Sequence, residues 1–206
     1  MQPELYPVFL KLAGLPVVVV GGGPVAASKL AGLIAAGARV TVVAPQICDA
    51  IRALDVARVE RGFVAADLDG ARWVVAAAPP EVNREVAHAA TARGVFVNAA
   101  DDVASASAYL GGVVRRGSIL VAISTNGLAP ALAGLLREAL EAVLPEELER
   151  WIDVARAARA DWKRAGVAMA ERRPLLLRAL DRIYAAAPIA AAPTAPLAGR
   201  APGAVS

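Results

Sequence analysis

The 206 residues predict an α/β protein with a doubly wound parallel sheet, and three observations carry that expectation. Short β-branched runs alternate with helical patterns through the first hundred residues. A glycine-rich turn joins the first run to the first helix. After residue 105 the rhythm changes to two short strands and then to helices alone.

Each element has its own signal. Leu15-Pro-Val-Val-Val-Val feeds directly into Gly21-Gly22-Gly23, and a helix is expected over 24–37, with Pro24 in its first turn and Gly37 as its stop. Arg39-Val-Thr-Val-Val-Ala reads as a second strand ended by Pro45, 56–61 as a weak strand, and 73–78 as a buried one. A helix over 81–93 closed by Gly94 precedes a strand at 95–99. Strands at 108–114 and 118–123 are expected to meet through Arg115-Arg116-Gly117-Ser118. Residues 129–144 form an amphipathic helix with Leu132, Leu135, Leu136, Ala139, Leu140 and Val143 on one stripe, ended by Pro145. Helices over 146–165 and 167–187 follow, the second expected to kink or break at Pro174. The Ala, Pro and Gly-rich end of the chain is expected to be a flexible tail. This divides the chain into 1–107, a nucleotide-binding domain; 108–145, a dimerisation segment; 146–187, a C-terminal helical domain; and 188–206, the tail. The stripe on 129–144 suits an intramolecular core or a dimer face, and the dimer is favoured because no second layer is evident for it.

Composition narrows the function classes. Hydrophobic residues make up 57% and aromatic ones only 4%, so Ala, Val and Leu must fill the core. Mean hydropathy is +0.51, yet the uncharged stretch from Ala13 to Ser28 is too short for a bilayer and is broken by glycines and two prolines. No membrane partner is expected. Glu4 comes early and no basic leader is visible, so the cytoplasm is the expected location. A single cysteine, Cys48, excludes an internal disulfide, and no metal-ligand spacing or P-loop occurs. Net charge is +3, and no basic run is interleaved with aromatics, so nucleic acid is not an expected partner. Most of the cations are arginines, which suit an anionic small molecule.

Three clusters carry chemistry. Gly21, Gly23 and Ala26 fit the G-x-G-x-x-G/A fingerprint between strand and helix, which points to a Rossmann-type sheet and a dinucleotide seat, although a glycine-rich turn of this kind can also be purely structural. A tight turn needs the first glycine, a pyrophosphate against bare backbone the second, and close helix packing the small Ala26. The acidic residue usual at the end of the second strand is missing, since Val43 and Ala44 stand there. Backbone groups near Ala44, Pro45 and Gln46 then meet the ribose, and NAD is favoured because Arg39 lies at the wrong end of the strand to receive a 2′-phosphate. Ala78, past the fourth strand, joins the cofactor set. In the second cluster, Asn98, Asp101 and Asp102 follow the fifth strand, where a carboxylate can take a proton as a hydride leaves. Either aspartate could instead only cap a turn. In the third, Ser124, Thr125, Asn126 and Gly127 stand between a strand and a helix, as a cap cluster or as a seat for a substrate carboxylate. The lone His88 reads as a surface or half-buried helix residue and Cys48 as packing.

The clusters, in this order and spacing, resemble the precorrin-2 dehydrogenase module of sirohaem synthesis. The resemblance rests on Tyr6-Pro-Val-Phe-Leu-Lys-Leu, 17–29, Gly37-Ala-Arg-Val-Thr-Val-Val-Ala-Pro, Val97-Asn-Ala-Ala-Asp, Val121-Ala-Ile-Ser-Thr-Asn-Gly-Leu-Ala-Pro and Leu135-Leu-Arg-Glu-Ala-Leu-Glu. It implies an α/β Rossmann-type domain, a small α+β dimerisation segment, and a homodimer. It implies NAD-dependent oxidation of the tetrapyrrole precorrin-2 to sirohydrochlorin and, in some members, insertion of ferrous iron. The family's essential aspartate falls on Asp101, its cofactor positions on Gly21, Gly22, Gly23, Pro24, Val25, Pro45 and Gln46, and a substrate-loop serine on Thr125. Ser28 and Ala129 depart from the common pattern, a basic residue and a serine. A substrate bearing many carboxylates calls for arginines, with Arg115, Arg116, Arg137, Arg172 and Arg173 as candidates. The competing reading is an NAD-binding sensor module without turnover, which needs no carboxylate beside the nicotinamide.

Overall fold

The computed structural model describes residues 4–100, 102 and 104–185. β1 (Pro16–Val20), α1 (Pro24–Ala35), β2 (Arg39–Val43), α2 (Asp49–Arg52), β3 (Ala57–Val59), β4 (Trp73–Ala76), α3 (Pro80–Ala92) and β5 (Val97–Ala99) follow in chain order. The five strands form one parallel sheet in the order β3-β2-β1-β4-β5, with Val20 registered against Val43 on one side and Ala76 on the other. The chain winds outward from β1 through β2 and β3, then returns to start β4 on the opposite side. That reversal puts a crevice beyond the carboxyl end of β1.

The valine runs are continuous because both faces are covered. Val17, Val19 and Val42 pack with Ala26, Leu30, Leu33 and Ile51, while Val18, Val20, Val43 and Val74 pack with Leu68, Val86 and Ala90. Ala26, Leu30 and Leu33 bring one stripe of α1 onto the sheet, and Gly37 at φ +73° ends the turn after it.

After β5 come a two-stranded sheet of β6 (Gly112–Arg116) and β7 (Ile119–Ile123), then α4 (Pro130–Val143), α5 (Leu148–Arg164) and α6 (Met169–Ala185). The described chain falls into two compact units. One runs to Val114 and takes in Val121–Ala142; the other comprises Arg115–Leu120 and the residues from Val143 onward. In the first, Gly112 lies so close beneath α4 that a Cβ there would sit 2.8 Å from the Ala133 carbonyl oxygen. Ala133 is the one buried residue of α4, whereas Leu132, Leu135 and Leu136 are exposed. In the second unit, α5 and α6 are joined by an edge-to-face contact of Trp151 and Tyr184, whose hydroxyl accepts a 2.9 Å bond from the indole Nε1.

Two expectations are corrected, and two short elements were not foreseen. The strand expected from residue 108 begins only at Gly112, because the backbone N–H groups of Ser107 and Ala108 both donate to the Val97 carbonyl and lay that segment along β5. Helix α6 runs through Pro174 without a break. A proline there removes a single backbone donor, and Arg172 holds the start of the helix by donating twice to the Val167 carbonyl. Two short elements, α2 and a 3-10 turn at Ala65–Leu68, carry no visible periodicity, since each is anchored by one buried side chain, Ile51 or Leu68. The expected tail, 188–206, lies outside the described residues.

Asp67 holds that 3-10 turn. It accepts from the Val64 N–H at 2.9 Å and from both terminal guanidinium nitrogens of Arg61. The Arg61 hydrogen bonds, followed by the Val64 N–H, outweigh burial and lower the Asp67 pKa below the ordinary carboxylate range. A depressed carboxylate pKa stabilises the fold above its unfolded value of about 3.9, and that contribution is lost as pH falls through the folded value. Asp67→Asn is therefore expected to lower the urea midpoint at pH 7, and its difference from the parent should shrink steadily below about pH 4.

Candidate functional site

The crevice at the end of β1 is built by close backbone approach. Gly21 adopts φ +131°, and a Cβ on it would sit 2.2 Å from the Ala77 carbonyl oxygen. A Cβ on Gly22 would lie 1.9 Å from the Gln46 carbonyl oxygen. At Gly23 nothing lies within 4 Å of that position. The first two glycines thus serve the fold, and the third leaves open space at the start of α1. Pro24 occupies the first helical position, and no side chain caps Gly23. The N–H groups of the first turn, Val25 among them, face outward as an anion site with the positive end of the helix dipole behind them.

Hydrogen bonds fix the walls of this crevice. The Gly21 N–H donates to the Val43 carbonyl at 2.9 Å, Cys48 N–H to the Gly22 carbonyl at 2.8 Å, and Ala44 N–H to Val59 at 3.2 Å. Gly22, Gly23, Gln46, Ile47 and Cys48 line a cleft of about 330 Å³. Pro45 and Gln46 are exposed while Ala44 is buried, so Ala44 can offer only backbone to a ligand. Open space at Gly23, unpaired helix N–H groups and a cleft at the switch point together fit a dinucleotide.

Sequence reasoning missed three contributors. Ile47 and Cys48 line the cleft, and the small apolar character of Cys48 hid that role. Buried Asn83 accepts the Ala78 N–H at 3.0 Å through Oδ1, so the loop after β4 is pinned and the Ala78 amide is already used. A polar residue on the inward stripe of an otherwise amphipathic helix was its signal. His88 is exposed on α3, as expected, beside a separate open groove of about 680 Å³ that also touches Phe63 and Arg84.

At the end of β5 the second cluster divides. Asp101 lies outside the described residues. Asp102 Oδ1 accepts the Ser105 N–H at 3.1 Å, which closes a turn. Hydrogen bonds from the Ser105 side chain and backbone hold its carboxyl below the usual range, with smaller help from the Ala104 N–H and the charge of Arg84. Asp102 thus caps a turn. Asn98 is buried in β5, and its Nδ2 donates to the Ala108 carbonyl at 3.0 Å, while its Oδ1 has no partner among the described residues.

In the third cluster, Ser124 Oγ accepts the Asn126 N–H at 3.1 Å and Thr125 Oγ1 the Ala129 N–H at 3.3 Å. Both hydroxyls use an acceptor lone pair, which leaves each proton to give to a ligand oxygen. Asn126 and Gly127 take φ of +55° and +76°, a left-handed pair that turns the chain into α4. Arg137, about two turns into α4, is held by Glu141 at 2.6 Å and Glu138 at 3.3 Å on its own helix.

Comparison with known proteins adds a family to this geometry. Residues 8–112 match a family model described as "Putative NAD(P)-binding", and 116–142 match one described as "Sirohaem biosynthesis protein central". Siroheme synthase 1 of Aeromonas salmonicida (strain A449) is 40% identical over 184 residues, 86% of this chain and 39% of that protein. The siroheme synthase of Photorhabdus laumondii (strain DSM 15139 / CIP 105565 / TT01) is 36% identical over 187 residues, 88% of this chain and 40% of its own length. The chain thus spans about two fifths of the curated relatives it matches. A solved structure of SirC, precorrin-2 dehydrogenase, superposes with a TM-score of 0.68 at 26% identity, covering 87% of this chain and 92% of that one.

The open position at Gly23 yields a direct test. Its backbone, φ −93° and ψ −172°, is extended and accepts a β-branched residue. Gly23→Val should leave the melting temperature within a few degrees of the parent and weaken dinucleotide binding by at least about tenfold in calorimetric titration. Through its glycine-turn domain, residues 8–112, this chain belongs to that NAD(P)-binding family, joined here to the central segment of sirohaem biosynthesis proteins.

Proposed function

We propose that the chain is a precorrin-2 dehydrogenase module, which oxidises precorrin-2 to sirohydrochlorin with NAD in the cytoplasm as a step toward sirohaem. The observation that carries this reading is the cleft at Gly22 and Gly23, open where a pyrophosphate sits, in a chain that continues into the sirohaem central segment.

The roles follow from the residues. Gly21, Gly22, Gly23, Pro24 and Val25 seat the pyrophosphate, and Ala44, Pro45, Gln46 and Ala78 supply the wall around the ribose and nicotinamide. When bound, NAD supplies the hydride acceptor for a two-electron oxidation. Asp101, at the carboxyl end of β5, takes the proton lost from the macrocycle, so that one hydride and one proton leave together. Asn98, Ser124, Thr125, Asn126 and Gly127 hold the substrate, with the two hydroxyls donating to its carboxylates. Arg137, on α4, adds a cation for a further carboxylate of the substrate. Ferrous iron, where it is inserted, is a second substrate for the same carboxylate and the ring nitrogens, and offering it to sirohydrochlorin separates that activity from the oxidation.

The chain acts as a homodimer in this reading. Leu132, Leu135 and Leu136 are 48%, 63% and 42% exposed on α4, an apolar stripe that a second copy covers.

Two outcomes are expected. Asp101→Asn should bind NAD as the parent does and lose at least about a hundredfold in anaerobic turnover of precorrin-2, followed by sirohydrochlorin absorbance. Parent protein that binds NAD but forms no product supports the sensor reading instead. A Leu132→Glu, Leu135→Glu double variant should elute as a monomer in light-scattering chromatography, with its circular dichroism unchanged.

A further inference from the structure

We propose that the ion pair between Arg52 and Glu60 sets the preference between dinucleotides with and without a 2′-phosphate. The inference rests on the reading of the cleft as a dinucleotide site and deepens it. In this type of fold the ribose 2′ position meets the end of β2, where an acidic side chain usually selects the free hydroxyl. Here that place holds Val43 and Ala44, and neither can discriminate.

The structure supplies a carboxylate from the next strand instead. Ala44 N–H bonds to the carbonyl of Val59, and Glu60 follows Val59 directly at the end of β3. Glu60 receives both terminal nitrogens of Arg52, at 2.7 Å each, in a forked pair. The Arg52 Nε donates to the carbonyl of Ile47 at 3.1 Å, and Ile47 lines the cleft. The guanidinium joined to the cleft lining is therefore committed on three nitrogens. Nearby cations are committed as well: Arg58 donates to the carbonyls of Arg52 and Leu54, and Arg61 to Asp67. Arg39 donates to Gly14 at the opposite end of the sheet. Asp49, on α2 with Arg52, adds further negative charge.

A 2′-phosphate entering here meets a neutralised arginine with a carboxylate beside it. A 2′-hydroxyl meets neither repulsion nor a lost partner. The pair thus rejects the phosphate, and the same arginine becomes its receptor once the carboxylate is gone.

The test is equilibrium binding of NAD+ and NADP+ by calorimetry, on the full chain, with melting temperature as the folding control. The parent should bind NAD+ more tightly. Glu60→Gln should improve the NADP+ to NAD+ affinity ratio about tenfold or more. The Arg52→Gln, Glu60→Gln double variant should lose that gain, and Arg52→Gln alone, which keeps the carboxylate, should still bind NADP+ weakly. An unchanged ratio in Glu60→Gln, a gain that survives in the double variant, or a parent that prefers NADP+ overturns the inference. A parent that binds neither dinucleotide overturns the cleft reading itself, and this inference with it.

Discussion

Everything in the nucleotide domain depends on how near the backbone of residues 21–22 comes to its neighbours. Two side-chain positions are forbidden there, one by the Ala77 carbonyl and one by that of Gln46. Without those contacts the loop after β1 cannot lie between the loops after β2 and β4, and the crevice has no floor. The hydrophobic sheet beneath is a generic valine core that many sequences could build. What is particular to this chain is the close packing at its carboxyl edge, where three glycines in a row divide into two that touch protein and one that faces open space.

The polar contacts around that edge do one job, which is to hold loops still. Asn83 pins the loop after β4, the Cys48 N–H pins the loop after β2, and Arg52 fastens the cleft lining at Ile47 to the end of β3. None of these groups needs to touch a ligand for its loss to be felt, because a cofactor seat made of backbone is only as good as the position of that backbone. Asp102 plays the same part at the end of β5, and its turn sets the start of the segment that runs along that strand to the hairpin.

Much of this was legible in the sequence, and the exceptions have physical causes. The five strands and the two long N-terminal helices were readable because β-branched runs and apolar spacing persist long enough to be periodic. The Gly21 turn was readable because its neighbours on both sides were. The chain at Ala108 looks like the start of a strand yet bonds to Val97 and Asn98 of β5 rather than to a hairpin mate, and pattern alone does not specify a partner. α2 hangs on Ile51 alone, and one anchor leaves no period. Asp101 and Asp102 are adjacent and chemically alike, so the capping role of Asp102 shows only in the bond from Ser105. The place of Cys48 in the cleft wall and the Arg52–Glu60 pair depend on contacts across eight or more residues, or between loops, for which a linear pattern has no sign.

The hairpin has one more effect. Its tip, Arg115–Leu120, belongs to the unit of the last two helices, while the strands' outer ends remain with the sheet domain. The polypeptide therefore passes from one body to the other, returns, and passes again at Val143. A cut between Ala142 and Val143 therefore parts the last two helices from the hairpin tip with which they are grouped.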